Sequence, residues 1–185
     1  METVCRCGWC NLNNPLYVAY HDGEWGVPQY DDRKLFELLV LESFQAGLSW
    51  EIILNKREHF RAAFDGFDPA AVSAYGEEKV AALLGNPSIV RNRRKIEAAV
   101  ANAGVFLDIR AEWGSFSAYI WHFTGGGVVH ETGRASSPLS DRVSKDLRAR
   151  GMRFVGTTIV YSYLQAIGVV YSHDRGCFLY RAGEN

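Results

Sequence analysis

Cysteine is scarce in this chain, and its placement excludes a disulfide scaffold. Only Cys5, Cys7, Cys10 and Cys177 occur in 185 residues, and three of them crowd one end. Three neighbouring thiols with one distant partner do not make a framework of bridges. In a reducing compartment such clusters serve metal or redox chemistry. Long apolar runs are missing too. The longest, Ile159 to Tyr171, is broken by Ser162, Gln165 and Gly168, short of the ~18 uncharged residues of a membrane helix. The first residues lack the apolar core of a secretory leader. We therefore expect a cytoplasmic protein with no membrane contact, working as a monomer. Alternating strand patterns are nearly absent, and Val128-Val129-His130 is the best of them. An excess of charge is also lacking. Lys and Arg number 20 against 21 Asp and Glu, a net charge of -1, which at first sight speaks against a nucleic-acid binder.

What is present points to a helical globule. Hydrophobic residues make up 48% and charged residues 22%, which excludes disorder and low-complexity polymers. The length suits a single domain over 1–185 with a sizeable core. Helical periodicity dominates, so the expected class is all-α. The pattern predicts a helix from Asp31 to Leu48 and another from Trp50 to Phe64, capped by Ser49. Asp68-Pro69 opens a short helix, and Glu77 to Leu84 forms the next, stopped by Gly85-Asn86-Pro87. Val90 to Asn102 follows, with Gly104 just beyond it. A short helix around Phe116, Ile120 and Phe123 ends at Gly125-Gly126-Gly127. Ser137-Pro138 begins a polar helix to Gly151, and Gly156-Thr157-Thr158 opens a last one to about Gly168. Both end segments look poor in periodic structure.

The near-neutral total conceals a segregation. From Asp22 to Glu42 six acids face two bases, while Arg91 to Glu97 holds four cations and one anion. Asp141 to Arg153 holds five cations and two anions. Two basic patches are thus available to phosphates, and the acidic region would suit a cationic ligand.

Three constellations could carry chemistry. His173 and Cys177 are spaced four apart, and the opposite end of the chain offers Cys5, Cys7, Cys10 and His21. Two sulfurs and two imidazoles would make a closed tetrahedral site that ties the ends together; chance pairing is the plainer alternative. Glu42 lies among apolar residues in Leu41 to Trp50, downstream of Trp9, Tyr17, Tyr20 and Trp25. These rings are either core or a stacking box for a planar ligand, with Glu42 reading its polar edge. Asn86 to Lys95 is a turn with four cations entering a helix. It is a solvated basic face or a phosphate site, and Thr157 and Thr158 could hold a second phosphate or merely cap their helix.

These same stretches resemble the bacterial 3-methyladenine DNA glycosylase I family. The resemblance runs from Arg6-Cys7-Gly8-Trp9 to Cys177. It is carried by Pro15-Leu16-Tyr17, Tyr20-His21-Asp22-Gly23-Glu24-Trp25-Gly26-Val27-Pro28, Gln45-Ala46-Gly47-Leu48-Ser49-Trp50, Phe154-Val155-Gly156-Thr157-Thr158 and His173 to Cys177. It implies a helix-hairpin-helix fold with a lobe built from segments 1–30 and 169–185 and stapled by structural zinc on Cys7, His21, His173 and Cys177. It implies a base pocket of Glu42, Tyr17, Tyr20 and Trp50 with Trp25 close by, Glu42 carrying a catalytic share. The hairpin maps onto Asn86 to Arg91, giving phosphate contacts from Ser88, Arg91, Arg94 and Lys95, with Thr157 and Thr158 at the second patch. The implied activity is hydrolysis of the N-glycosidic bond of 3-methyladenine in double-stranded alkylated DNA. Two alternatives are a non-catalytic zinc-stabilised damage-binding module and a zinc hydrolase of small molecules.

Overall fold

The computed structural model describes residues 4–182. Among these, ten α-helices follow one another: α1 Pro15–Gly23, α2 Asp32–Gln45, α3 Trp50–Asn55, α4 Arg57–Ala63, α5 Pro69–Ser73, α6 Glu77–Gly85, α7 Arg93–Trp113, α8 Phe116–His122, α9 Pro138–Ala149 and α10 Thr157–Ala166. Two short strands, β1 Val129–His130 and β2 Val170–Tyr171, pair in parallel with Val129 opposite Val170. Polar caps explain where most helices begin. Asn14, Asp31, Ser49, Asp68, Asn92, Ser115 and Ser137 each accept a backbone N–H from the first turn of the helix they precede. Each such cap contributes about 1 kcal/mol.

The core is organised around α2. Every residue from Leu35 to Phe44 is buried, so this helix is enclosed on all sides, as a central helix must be. It packs against α3, α7, α8 and α10. Phe36 meets Phe106 of α7 edge-on at 5.1 Å, and Phe44 meets Phe60 of α4 at 4.9 Å. Truncating such a ring to Ala costs about 3–5 kcal/mol. Burial of the whole helix is also what carries Glu42 out of solvent.

Three expectations need correction. First, the N-terminal segment is not without regular structure: Asn14 caps α1 and Pro15 supplies its first residue, the arrangement that proline's fixed φ favours. Second, Trp50 to Phe64 is two helices, parted at Lys56. Third, Gly104 does not end its helix. α7 runs on to Trp113 and stops at Gly114, whose φ of 81° is left-handed. A glycine inside a helix costs about 1 kcal/mol, and burying Phe106 and Ile109 beyond it offsets that.

The segment after α1 is sewn to the end of α10. Gly26 N–H donates to Gln165 and Gln29 N–H to Ile167, at 3.1 and 3.0 Å. Gly168 follows with φ 73°, and a Cβ there would stand 2.4 Å from the backbone of Val27 and Pro28. Only glycine permits this approach. The segment carrying α1 is thereby fixed over the end of α10.

Candidate active site

A cavity of about 460 Å³ opens where α1, α2, α3 and α10 converge. Tyr17, Tyr20, Trp25, Glu42 and Trp50 all line it. Residues from separate stretches of sequence are thus brought to one hollow. Trp9, Gln45, Ser162, Gln165, Ser172 and Asp174 line it too, with Gly133, Arg134 and Ala135 from the segment before α9. Of the latter groups, Trp9 and Gln45 lie in motifs visible in the sequence. Arg134 sits in a polar loop that offers no periodic signal.

The walls are aromatic. Tyr20 and Trp50 stand 5.3 Å apart between ring centroids, and Trp9 lies 5.5 Å from Tyr17 and 4.7 Å from Trp25. Burial raises the Tyr17 phenol to about 12 and that of Tyr20 well above its ordinary value. Both stay protonated near neutral pH and can donate to a ligand. The indole N–H of Trp50 is buried without a partner among the described residues, so a bound acceptor could satisfy it.

Glu42 is 4% exposed, and its carboxyl has no hydrogen bond among the described residues. Burial alone lifts its pKa from 4.5 to about 8. The free pocket therefore holds a mostly protonated acid at neutral pH. A cation entering the pocket would favour ionisation, because Coulomb attraction grows as water is excluded.

The acidic excess around the pocket does not act as a diffuse field. Arg6 grips Asp22 through bonds of 2.7 and 2.6 Å. Arg57, buried, takes Glu24 bidentately at 2.6 and 2.7 Å and Glu37 at 2.6 Å. Asp31 caps α2, and Asp32 accepts the N–H groups of Phe116 and Ser117 at the start of α8. Five of the six acids are thus occupied, and Glu42 alone faces the pocket without a partner among the described residues. The Arg57 bridge has its own geometric effect: it joins the end of α1 to α2 and so sets the tyrosines against Glu42.

Behind the aromatic wall lies the thiol and imidazole cluster. Cys7, His21, His173 and Cys177 are buried, and their ligand atoms all lie within 4.8 Å of one another. Cys7 is the N-terminal thiol of this set; Cys5 is exposed, and Cys10 points to the Tyr17 carbonyl at 3.8 Å. His21 Nδ1 lies 2.8 Å from Asp22, which assigns that nitrogen the proton and makes Nε2 an acceptor turned into the cluster, where the Cys7 N–H reaches it at 3.3 Å. Asp174 N–H donates to Cys7 Sγ, and Leu179 N–H to Cys177 Sγ, at 3.3 and 3.5 Å. Burial pushes the Cys7 thiol up to about 12 and lowers His173 to about 4. Two imidazole nitrogens and two sulfurs gathered at one buried point could hold a metal ion, the thiols losing their protons as it binds. Trp25 packs edge-on against His173 at 4.7 Å, and Trp9 lies 5.2 Å from His21. The cluster therefore buttresses the pocket wall directly.

The basic residues divide sharply. The turn between α6 and α7 leaves Arg91 and Arg94 exposed. Neither has an ion pair among the described residues. Ser88 is half-buried, its N–H donating to Asn86 and its carbonyl accepting from Lys56. Lys95 corrects the sequence reading. It is buried, and its ammonium donates to the carbonyls of Phe44 and Ala46 at 2.8 and 2.6 Å. Carbonyls at a helix end lack intrahelical partners, so the lysine closes α2 instead of facing a phosphate. At α10, the Thr157 hydroxyl lies 2.6 Å from Asp141 and 2.8 Å from Ser140, whereas Thr158 is exposed. Lys145 and Arg148 of α9 share a hollow with Asp141 and Thr157, and Arg150 and Arg153 stand in the connection from α9 to α10.

Comparison with known proteins agrees across the whole chain. Residues 9–180 match the family model described as methyladenine glycosylase. DNA-3-methyladenine glycosylase 1 of Escherichia coli K12 is 46% identical over 181 residues, covering 95% of this chain and 96% of the relative. A crystal structure of 3-methyladenine DNA glycosylase I superposes with a TM-score of 0.92 at 46% identity, covering 96% of this chain and all of that one. A tyrosine-to-phenylalanine variant of 3-methyladenine DNA glycosylase I, solved in complex with 3-methyladenine, superposes at 0.89 with 35% identity, covering 94% and 96%. On this sequence and structural agreement, the chain belongs to the methyladenine glycosylase family.

Proposed function

We propose that this protein is a DNA-3-methyladenine glycosylase, releasing the alkylated purine from duplex DNA by extruding the nucleotide and cutting its N-glycosidic bond. One observation carries the reading. A buried carboxyl with no hydrogen-bond partner among the described residues lines an aromatic cavity in a chain 46% identical to an E. coli enzyme of that name.

The chemistry follows from the lesion. Alkylation at N3 places a positive charge on the base, which then departs as a neutral molecule and needs little acid assistance. Taking the nucleotide out of the stack costs a few kcal/mol, and less when the base is damaged. Stacking on the aromatic wall offsets it by roughly 1–3 kcal/mol. Glu42 gives up its proton to solvent as the cation enters, and the resulting carboxylate favours the lesion over neutral adenine. It also supports the oxocarbenium-like sugar as the bond lengthens. The Tyr17 and Tyr20 hydroxyls and the Trp50 N–H supply donors to the base edge. No general base is assigned: Asp174, the other acid lining the cavity, is exposed and accepts the Gly8 N–H at 2.9 Å.

Zinc suits the Cys/His cluster. A tetrahedral ion with bonds of about 2.3 Å to sulfur and 2.0–2.1 Å to nitrogen separates S from N by about 3.5 Å. Cys7 Sγ to His173 Nδ1 is 3.4 Å, Cys177 Sγ to His21 Nε2 3.5 Å, and Cys177 Sγ to His173 Nδ1 3.6 Å. Zinc there would supply no reaction chemistry, since four protein ligands leave no open position; it would hold the chain ends under the pocket. The small-molecule hydrolase reading loses its support for that reason. DNA would lie over Arg91, Arg94 and the Ser88 turn on one side and over Thr158 and the hairpin between α9 and α10 on the other. The test is a titration of 3-methyladenine against tryptophan fluorescence: saturable quenching that Trp50→Leu weakens at least tenfold supports the pocket, and equal binding by both proteins contradicts it.

A further inference from the structure

Arg134 stands at the base pocket with a charge that the pocket's ligand does not want. It lines the cavity from the segment between β1 and α9, directly after Gly133 at φ 69°. Its side chain is exposed. Among the described residues its guanidinium has no ion pair and no hydrogen bond. The other charged groups lining the cavity are Glu42 and Asp174. A cation beside a cationic base is unfavourable by Coulomb's law, so the base is not its partner.

A flipped nucleotide brings something else to the mouth of a pocket. It remains joined to its strand through two phosphodiesters, and these stay outside when the base goes in. A guanidinium at the rim can take a phosphate through two parallel N–H···O bonds. Gly125, Gly126 and Gly133 all hold positive φ, and a chain so built can approach a nucleic-acid backbone closely. We propose that Arg134 binds a phosphodiester next to the extruded nucleotide and holds the strand while the base occupies the pocket, a role that rests on the glycosylase reading above. It acts on DNA and not on the free base.

That distinction gives the test. The wild type, Arg134→Gln and Arg134→Lys are titrated with a duplex containing a tetrahydrofuran abasic analogue over 50 to 200 mM salt, and separately with free 3-methyladenine. Arg134→Gln should bind the duplex more weakly, and its slope of log K against log salt should fall by about 0.9, the increment for one phosphate contact. The affinity lost between 50 and 200 mM salt then shrinks by about 3.5-fold relative to wild type. Binding of 3-methyladenine should stay within twofold, and Arg134→Lys should retain the wild-type slope. An unchanged slope in Arg134→Gln overturns the proposal, and so does an equal loss for the free base, which would make Arg134 a wall of the pocket. A wild type that binds neither probe overturns the glycosylase reading, and the proposal with it.

Discussion

Replacing Glu42 with Gln should stabilise the fold while removing the activity. In the unfolded chain this carboxyl ionises near 4.5, and in the folded protein burial lifts it to about 8. Between those values the unfolded state binds fewer protons than the native state, so rising pH favours unfolding. The stability tied to Glu42 is fully present below pH 4.5 and is lost as pH climbs to 8. Stability falls by about 1.4 kcal/mol for each pH step across this window, which gives a loss of ~3 kcal/mol by pH 7 and ~5 kcal/mol above pH 8.5. Gln has nearly the same volume and no charge to desolvate, so the variant avoids this loss. Urea unfolding of both proteins at pH 5 and pH 8.5 measures the effect. The variant should be only slightly more stable at pH 5 and about 4 kcal/mol more so at pH 8.5. Parallel pH profiles would refute the reasoning, because they would mean that Glu42 ionises freely in the fold. In catalysis the same group should make kcat/KM on methylated DNA rise with pH, half-maximal near 8 and level about one pH unit above it, as the free enzyme's essential carboxylate forms.

Further outcomes follow from the rest of the site. Metal analysis should find about one zinc per chain, lost in His173→Ala together with thermal stability; a fully folded wild type without metal contradicts the staple. Arg91→Ala with Arg94→Ala should lower the salt slope of DNA binding by up to about 1.8 at unchanged stability, and an unaltered slope moves the DNA surface elsewhere. Lys95→Met should do the reverse, leaving the slope nearly unchanged while costing about 1–3 kcal/mol of stability for the orphaned carbonyls at the end of α2; urea unfolding checks this.

Much of the fold is legible in the sequence because caps and periodicity are local. Asp31, Ser49, Asp68 and Ser137 mark helix starts by chemistry that acts within one turn. α1 is harder to see, because its residues read as an aromatic motif while its boundaries depend on Asn14 and on anchoring to α10. Gly104 misleads because the energy that carries α7 past it comes from Phe106 and Ile109 packing at a distance. Lys95 reads as a surface cation beside its neighbours Arg93 and Arg94. Only the fold shows that it turns inward to Phe44 and Ala46. The pairing of Glu24 and Glu37 with Arg57 is likewise invisible in a charge count. At the cluster, spacing suggests His173 with Cys177, but the choice of Cys7 over Cys5 and Cys10 comes from the family motif, and the fold brings that thiol to the other three.

The most direct measurement of the central claim is chromatography of the bases released from methylated duplex DNA by the wild type and by Glu42→Gln. The account predicts 3-methyladenine as the released product, unmodified adenine left in place, and loss of most of the release in the variant at pH 7 despite its greater stability. Release at wild-type rate by Glu42→Gln, or none by the folded, metal-loaded wild type, would contradict it.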